Sequence, residues 1–314
     1  MVKICCFVSL FCVTFLVLNV PVPAASSVII NEFLAFSDTD FADESPRDWI
    51  ELYNPGNEPI QLKGYSLTDD AKGGRRWVFP AARLEAHGYL RIWASGQNRV
   101  SSGEYHTNFA LSKGGEYVGL FAPDGELIDG VPFGKQRVGI SYGRYPNGSA
   151  SWFYFMNPTP GRQNSGEKYS GIADPPVVSK TGGFYDDPVA VQILARRPSA
   201  EIRYTLDGSA PDEAGDVYSE TLHISETTPV RARAFCDGLL PSDIVTNTYF
   251  IKQSFRIPVL SVVTAPENLF DRRTGIYANA QQHGRAWERP TSVEFFDARD
   301  SRMFAVDAGL RIHG

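Results

Sequence analysis

The sequence predicts an all-β protein that is divided into several small modules. Short runs rich in Val, Ile, Tyr, Phe and Trp alternate with turn residues along most of the chain, which contains 28 Gly and 21 Pro. Evenly spaced short strands of this kind are typical of β-sandwiches and β-barrels, and long stretches with a helical period are nearly absent. A length of 314 residues is sufficient for two or three domains.

Residues 1–25 have the pattern of a secretion signal. Lys3 precedes an apolar run that extends to Val20, and small residues follow at Ala24 and Ala25. This order predicts export with cleavage near Ala24 or Ala25. The alternative is an uncleaved membrane anchor, although the apolar run is slightly short for a span of about 20 residues. We therefore expect a secreted or cell-surface protein with no stable membrane insertion after cleavage.

Charge and cysteine content exclude several classes of function. The net charge is −6, and no cluster of Lys and Arg exceeds a pair. Binding to nucleic acid requires concentrated positive charge, so we expect no nucleic-acid partner. Three of the four cysteines lie in the signal segment, and the mature chain keeps only Cys236, which cannot form an internal disulfide. Cys236 is interpreted as a buried inert thiol, with a reactive or intermolecular thiol as the alternative.

Residues 26–166 contain a series of strand candidates that end at turn signals. The turn Ala122-Pro-Asp-Gly125 has Pro and Gly where β-turn geometry favours them, and Pro146-Asn-Gly148 is a second strong turn signal. About 140 residues can bury a self-sufficient core. The strand candidates are Trp49–Tyr53, Leu90–Trp93, Tyr117–Phe121 and Leu127–Val131.

Several segments in this region resemble the lamin tail domain, an immunoglobulin-like β-sandwich. In chain order they are Ile30-Asn-Glu-Phe33, Asp48-Trp-Ile-Glu-Leu-Tyr-Asn-Pro55, Leu62-Lys-Gly-Tyr-Ser-Leu-Thr-Asp-Asp70, Trp77-Val-Phe-Pro80, His106-Thr-Asn-Phe-Ala-Leu-Ser112, Ser141-Tyr-Gly-Arg144 and Asn157-Pro-Thr-Pro-Gly161. The match looks like the secreted bacterial branch of that family. The resemblance implies a fold, and it implies no ligand and no catalytic residue.

One motif in this module suggests an active-site serine. Gly139-Ile-Ser-Tyr-Gly143 matches the Gly-x-Ser-x-Gly nucleophile elbow, which needs a strand, a turn and then a helix to expose the serine. Pro146 and the Asn147-Gly148 turn follow, so no helix begins there. We therefore interpret Ser141 as a strand residue and expect no catalytic residues in the chain.

An acidic stretch offers the best candidates for a metal site. Hard cations such as Ca²⁺ prefer several oxygen ligands. The spacing of these acidic residues does not match an EF-hand loop, so the alternatives are a weak calcium site and a solvated acidic loop. No other cofactor is expected. The calcium candidates are Asp38, Asp40, Asp43 and Asp48.

A second module is predicted over residues 177–252, after an interdomain linker over residues 167–176. Ala190–Leu194, Ile202–Leu206 and Val230–Phe235 are strand candidates. The alternation in the last of these places Arg231 and Arg233 on the solvent face. The segments Ile202-Arg-Tyr-Thr-Leu-Asp-Gly-Ser-Ala-Pro211 and Val230-Arg-Ala-Arg-Ala234 resemble the immunoglobulin-like C-terminal module of chitobiase and β-hexosaminidase enzymes. In that family the module is accessory and does not contain the catalytic site, so the resemblance implies no glycosidase activity for this chain.

Residues 255–314 are predicted to form further strands that need partners to cover them. Candidates are Ile257–Thr264, Thr291–Phe296 and Phe304–Ile312, with one helical turn at Pro266–Phe270. About 60 residues rarely form a stable core alone. Thr274-Gly-Ile-Tyr277, Trp287-Glu-Arg-Pro290 and Gly309-Leu-Arg-Ile-His-Gly314 resemble the start of the spore-coat H (CotH) kinase-like family, which has an atypical protein-kinase fold. The resemblance implies an incomplete α+β segment whose catalytic groups would lie beyond Gly314.

These observations predict two immunoglobulin-like β-sandwich modules in tandem, followed by the incomplete kinase-like segment. We expect a non-catalytic, extracytoplasmic protein that binds, spaces or anchors. Its partner would be an extracellular protein or a carbohydrate. The alternative is the N-terminal part of an extracellular CotH-type kinase, which would make the protein an enzyme only if the natural chain extends beyond residue 314.

Overall fold

The computed structural model describes residues 28–313 except for 36–47, 73–76 and 213–214. Regular structure in these residues is almost entirely β-strand, which confirms the predicted all-β class. The strands of the first module are β1 (Ile29–Leu34), β2 (Trp49–Tyr53), β3 (Ile60–Gln61), β4 (Ser66–Thr68), β5 (Trp77–Val78), β6 (Arg83–Leu84), β7 (Tyr89–Trp93), β8 (Arg99–Ser101), β9 (Glu104–His106), β10 (Glu116–Phe121), β11 (Leu127–Phe133), β12 (Ser141–Arg144) and β13 (Trp152–Phe155).

The first module is a sandwich of two sheets. One sheet has the order β13-β12-β1-β2-β7-β9-β8, and the other has the order β11-β10-β4-β5. Strands β10 and β11 form the hairpin predicted around Ala122-Pro-Asp-Gly125. The inward residues of both sheets, among them Ile50, Leu52 and Leu120, form one buried core. Because successive side chains alternate, Glu51 between Ile50 and Leu52 points to the opposite face of its sheet.

The second module has its own core and a smaller set of strands. Its main sheet has the order β15-β22-β21-β18-β19, and two short pairs, β14-β17 and β16-β20, accompany it. The strands are β14 (Val177–Val178), β15 (Gly183–Tyr185), β16 (Val189–Val191), β17 (Ile193–Leu194), β18 (Glu201–Thr205), β19 (Asp216–Val217), β20 (Leu222–Ile224), β21 (Thr228–Phe235) and β22 (Val245–Ile251). The predicted strand at Ala190–Leu194 is thus divided between β16 and β17.

The alternation in β21 is confirmed, but one consequence drawn from it is wrong. Val230, Ala232 and Ala234 are buried as expected. Arg231 does not face solvent, because only 6% of it is exposed. Its guanidinium donates to the Gly208 carbonyl (2.7 Å) and to the Thr246 hydroxyl (3.3 Å). The alternation identifies a face of the strand, and neighbouring parts of the chain decide whether that face is covered.

The last part of the chain forms a three-stranded sheet, which we call the third sheet. Its order is β23 (Val259–Val263), β24 (Arg289–Phe296) and β25 (Arg302–Leu310), and all neighbours are antiparallel. The predicted helical turn is present as α1 (Pro266–Phe270), and a 3₁₀ turn spans Arg285–Trp287. The predicted strand Ile257–Thr264 corresponds to β23, in which only Val263 is buried.

Candidate functional site

Three of the four calcium candidates, Asp38, Asp40 and Asp43, lie outside the described residues. Asp48 is described and is 5% exposed at the start of β2. The described part of the chain contains no group of three or more His, Cys, Asp or Glu side chains placed to hold a metal ion. A calcium site in this loop therefore stays a prediction.

A cluster of buried polar groups lies on the outer face of the larger sheet of the first module. Its centre is a pair of glutamates, Glu32 on β1 and Glu51 on β2, which are directly opposed in the antiparallel register. The register shifts between Ile30 and Glu32, as at a β-bulge. Both glutamates have no solvent exposure. Like charges in directly opposed positions are destabilising, so this arrangement requires a specific explanation.

Residues 157–164, which we call the strap, seal this pair from solvent. Thr159 donates to Glu32 through its backbone N–H (3.0 Å) and its hydroxyl (3.0 Å). The backbone N–H of Gly161 donates to Glu51 Oε2 at 2.5 Å. Asn164 donates through Nδ2 to the Arg144 carbonyl at 2.8 Å, which holds the far end of the strap on β12. We call the set of Asn31, Glu32, Glu51, Ser141, Thr159 and Asn164 the carboxylate cluster.

A glycine on β12 lets the strap approach the sheet. A Cβ atom at Gly143 would lie 2.6 Å from Asn164 Nδ2 and 3.0 Å from Glu32 Cγ. A larger residue at this position would therefore displace either the strap or the glutamate.

Ser141 is a structural member of the cluster rather than a nucleophile. Its side chain is fully buried in β12 and donates to Glu32 Oε1 at 2.5 Å. No helix follows it, because the turn at 146–149 closes with the Ser149 N–H donating to the Pro146 carbonyl. The interpretation of Ser141 as a strand residue is confirmed.

Burial changes the acidity of both glutamates. Loss of solvent raises the pKa of Glu51 to about 8, the Gly161 N–H offsets this in part, and the neighbouring Glu32 raises it further. Burial also raises the pKa of Glu32, and the hydrogen bonds from Ser141 and Thr159 oppose that increase. Carboxyls that are sealed in this way have no contact with a dissolved substrate, so they hold the fold together rather than act on a ligand.

The first and second modules are joined by an ordered segment. In the predicted linker, Tyr169 exchanges two backbone hydrogen bonds with Tyr154 of β13 (2.8 and 3.0 Å). Immediately afterwards, Ser170 donates to the Gly238 carbonyl (2.8 Å) and Ala173 donates to the Leu240 carbonyl (2.9 Å). Residues 169–173 are therefore hydrogen-bonded to the first module at Tyr169 and to the second module at Ser170 and Ala173.

Charged side chains add to the same junction. Asp243 of the second module forms ion pairs with Lys135 and Arg137 of the first. Arg137 also donates to the Pro241 carbonyl at 3.3 Å. Burial opposes ionisation of Asp243, but the hydrogen bonds from Lys135 and Arg137 hold the pKa of this carboxyl below its usual value.

A second junction fixes the third sheet on the second module. Glu294 of β24 is 1% exposed, accepts the Thr248 N–H of β22 at 2.7 Å and pairs with Arg302 at 2.9 Å. Arg302 also donates to Asn247 Oδ1 at 2.8 Å. Next to this network, Phe296 is fully buried and its ring lies 5.5 Å from that of Phe184 and 5.6 Å from that of Phe250.

The opposite face of the third sheet is apolar and uncovered. The register aligns Leu260 with Phe295 and Phe304, and it aligns Val262 with Val293 and Val306. The four residues of this grid on β23 and β25 are 43–56% exposed: Leu260, Val262, Phe304 and Val306.

Two clefts border the third sheet. One has a volume of about 260 Å³ and lies at its junction with the second module, where Thr246, Ser292 and Asp307 form a hydrogen-bonded chain (2.9 and 2.7 Å). The other, of about 310 Å³, includes Arg311 and His313. Arg311 is also 3.4 Å from the Glu288 carboxylate.

Cys236 follows β21 directly and is half-buried as a free thiol. The expectation of a buried inert thiol and the alternative of a reactive one therefore both stay open. Among the described residues, no helix has the length and apolar character needed to cross a membrane.

Comparison with known proteins supports the modular composition. The model of the Lamin Tail Domain family matches residues 21–135, and the model of the Fn3 associated family matches residues 191–249. Each covers less than half of the chain. These matches do not show the chitobiase-type and CotH resemblances, so both stay predictions. No curated protein matches the chain.

Solved structures add little. The crystal structure of murine CEACAM1b aligns with 71% of this chain and 99% of its own length, at 10% identity and a TM-score of 0.19. That similarity is too low to support an argument. The two family matches therefore define the class: a multi-domain protein with immunoglobulin-like modules.

Sequence reasoning did not identify the carboxylate cluster, although four of the segments that resemble the lamin tail domain meet there. They are Ile30–Phe33, Asp48–Pro55, Ser141–Arg144 and Asn157–Gly161. The available signal was a glutamate inside each of two strongly apolar strands, β1 and β2. An acidic residue in such a strand needs either solvent or buried donors.

Proposed function

We propose that this protein is a secreted or cell-surface protein whose modules bind, space or anchor, and that it catalyses no reaction. The observation that carries the proposal is the pairing of residues 169–173 with both modules. A segment that is hydrogen-bonded on both sides transmits orientation from one module to the next, whereas a free linker would not. Such a chain is suited to hold a binding surface at a fixed distance from its attachment point.

The absence of catalysis is supported by the position of the most perturbed acidic groups. Glu32 and Glu51 have raised pKa values, but both are sealed beneath the strap. An acid–base catalyst must come within hydrogen-bond reach of its substrate. The ion pairs of Asp243 and Glu294 lie at junctions between modules and serve to fasten them.

The extracytoplasmic location rests on the signal pattern in residues 1–25. The partner would be an extracellular protein or a carbohydrate. Expression of the full chain with its own signal, followed by mass measurement of the exported form, tests this part. Cleavage near Ala24 or Ala25 with recovery outside the cytoplasm supports it, and retention of an uncleaved chain in the membrane contradicts it.

The rigid-spacer proposal is tested by distance measurements between spin labels. Cys236 is replaced by Ala, and cysteines for labelling are introduced at two exposed positions, Glu58 in the first module and Glu220 in the second. Pulsed dipolar spectroscopy of the mature chain is expected to give one narrow distance distribution. A distribution as broad as that of two modules on a free linker would contradict the proposal.

A second candidate function is supported by the uncovered apolar face of the third sheet. Sheets normally bury an apolar face against another layer. In this hypothesis the layer belongs to a longer CotH-type kinase, and the first two modules present that kinase outside the cell. The intact mass of the exported natural protein distinguishes the candidates. A mass well above 34.7 kDa, together with ATP-dependent phosphorylation of protein substrates, would favour the kinase.

A further inference from the structure

The carboxylate cluster contains more acceptors than donors. Glu32 receives the Ser141 hydroxyl together with the N–H and hydroxyl of Thr159. Glu51 receives only the Gly161 N–H, on Oε2. Among the described residues, Glu51 Oε1 has no hydrogen-bond partner, and neither has Asn31 Oδ1. Both of these residues have no solvent exposure.

An unpaired buried acceptor is costly, and the cluster contains two on neighbouring side chains. The amide of Asn31 lies beside the Glu51 carboxyl and lowers its pKa, but the effect of burial is larger, so the pKa of Glu51 remains raised. A proton bound to Oε1 of Glu51 would make this oxygen a donor, and the unpaired Oδ1 of Asn31 is an acceptor on a neighbouring side chain. This proton would also remove one of the two like charges that face each other across β1 and β2.

We propose that Glu51 is kept as a neutral carboxylic acid that donates its O–H to Asn31 Oδ1, while Glu32 carries the single negative charge, and that this proton keeps the strap closed. Glu32 is the ionised partner because it receives the Ser141 hydroxyl and the Thr159 N–H, and it shares the Thr159 hydroxyl with Asn164 Oδ1. Hydrogen bonds to an ionised carboxylate favour the charged form. Glu51 has only one such donor.

The charged groups around the cluster do not provide a buried counter-charge for either glutamate. Arg91 on β7 and Arg162 in the strap act on Glu51 and Glu32 respectively, but both side chains belong to exposed residues. The phenol of Tyr89, also on β7, is neutral and donates no hydrogen bond to the cluster among the described contacts. The guanidinium of Arg144 on β12 is occupied by Asp129.

Loss of the Glu51 proton would leave two buried charges held by donors that belong mainly to the strap. Opening the strap would let water reach both carboxylates. The strap ends five residues before residues 169–173, and the backbone N–H of Asn164 donates to Asn147 Oδ1 (3.0 Å) in the turn between β12 and β13. Release at alkaline pH would therefore loosen the junction between the first two modules.

The sign of the pH dependence follows from the raised pKa of Glu51. Between the value of an unfolded glutamate and about 8, the folded protein binds the proton and the unfolded chain does not. Stability is therefore greatest below the unfolded value, declines as pH rises through this window and levels off above it. Between the unfolded value and about 8, the opening equilibrium of the strap is expected to increase by up to tenfold per pH unit, and above about 8 it levels off.

The test uses the mature chain and three variants. Glu51→Gln mimics the neutral acid, Glu32→Gln removes the proposed charge, and Glu58→Gln is an exposed control. Amide exchange at Thr159 and Gly161, corrected for base catalysis, is measured from pH 6 to 10. We expect the opening to increase with pH up to about 8 and then to level off in the native chain and in Glu58→Gln, and to be independent of pH in Glu51→Gln. Equal pH profiles in the native chain and Glu51→Gln would overturn the proposal.

A second measurement, made on the native chain, tests the proposal even if a variant folds poorly. At pH 7 the exposed carboxyls are ionised, so infrared spectroscopy of the native chain should show the C=O band of one protonated carboxyl. The band should vanish in Glu51→Gln and persist in Glu58→Gln. Its absence from the native chain would overturn the proposal. So would stabilisation by added Ca²⁺ in the native chain but not in Glu51→Gln, since the cluster would then be a cation site.

Discussion

The larger sheet of the first module and the third sheet differ in how many of their faces are covered. In the first module the larger sheet is covered on both sides, by the core on one face and by the strap over Glu32 and Glu51 on the other. In the third sheet one face packs on the second module through Phe296, and the other leaves Leu260 and Phe304 exposed. The difference shows that the sequence pattern of a strand does not predict how many of its faces other parts of the chain will cover.

The largest expected effect comes from the covered face of the third sheet. Phe296→Ala removes a fully buried ring from its contacts with Phe184 and Phe250 and should cost about 3–5 kcal/mol. Phe304→Ala is the matched control on the open face. It should cost less than about 1 kcal/mol, because this ring is 48% exposed and, among the described residues, stacks on Phe295 alone.

Hydrogen exchange at the amides of β22 and β24 reports the local free energy for both variants. Similar losses for Phe296→Ala and Phe304→Ala would mean that the open face is covered in solution and that the two faces of the third sheet do not differ.

A smaller effect is expected at the ion pair of the second junction. Arg302→Ala leaves the Glu294 carboxylate buried with the Thr248 N–H as its main remaining donor. The expected cost is about 1–3 kcal/mol, below that of a fully buried pair because the Arg302 side chain is 26% exposed. Arg273→Ala, at an exposed position in the turn after α1, should be neutral.

Urea denaturation followed at the third sheet measures this difference. If Arg302→Ala and Arg273→Ala unfold at the same urea concentration, Glu294 is compensated by other groups, and the network does not fasten the sheet.

The smallest effect on stability is expected at the first junction. Asp243→Ala removes partly exposed ion pairs with Lys135 and Arg137, which should cost below about 1 kcal/mol. The label distance distribution between the two modules should nevertheless broaden, whereas Asp237→Ala, at an exposed position nearby, should leave it unchanged. A distribution that stays narrow in Asp243→Ala would assign the rigidity to residues 169–173 alone.

The same ion pairs predict a dependence on acid. Because the pKa of Asp243 is held below its usual value, its contribution to stability is present above the unfolded value of about 3.8 and is lost as pH falls from there through the lower folded pKa. Broadening of the distance distribution in the native chain as pH falls through this range, but no further broadening in Asp243→Ala, is the expected outcome.

Local sequence signals predicted many strands and turns correctly. The hairpin of β10 and β11 follows from Ala122-Pro-Asp-Gly125 and its flanking apolar runs, and α1 follows from Pro266–Phe270. Such features depend on neighbouring residues, so their information is present in the sequence itself.

Burial of a side chain by residues that are distant in the sequence could not be predicted from such local signals. Arg231 was placed in solvent because its strand alternates, yet Gly208 and Thr246 accept hydrogen bonds from its guanidinium. Glu32 was likewise not recognised as a buried group, since Thr159, which covers it, lies 127 residues further along the chain. In both cases the burial depends on contacts that no local periodicity encodes.

The most direct test of the central claim is amide exchange of residues 169–173 in the mature chain. If this segment joins the modules as an ordered strand, Ser170 and Ala173 should exchange as slowly as amides in the adjoining sheets, since their N–H groups donate to Gly238 and Leu240. Exchange at the rate of an unprotected linker would contradict the account, because it would mean that the modules are independent and are joined by a flexible chain.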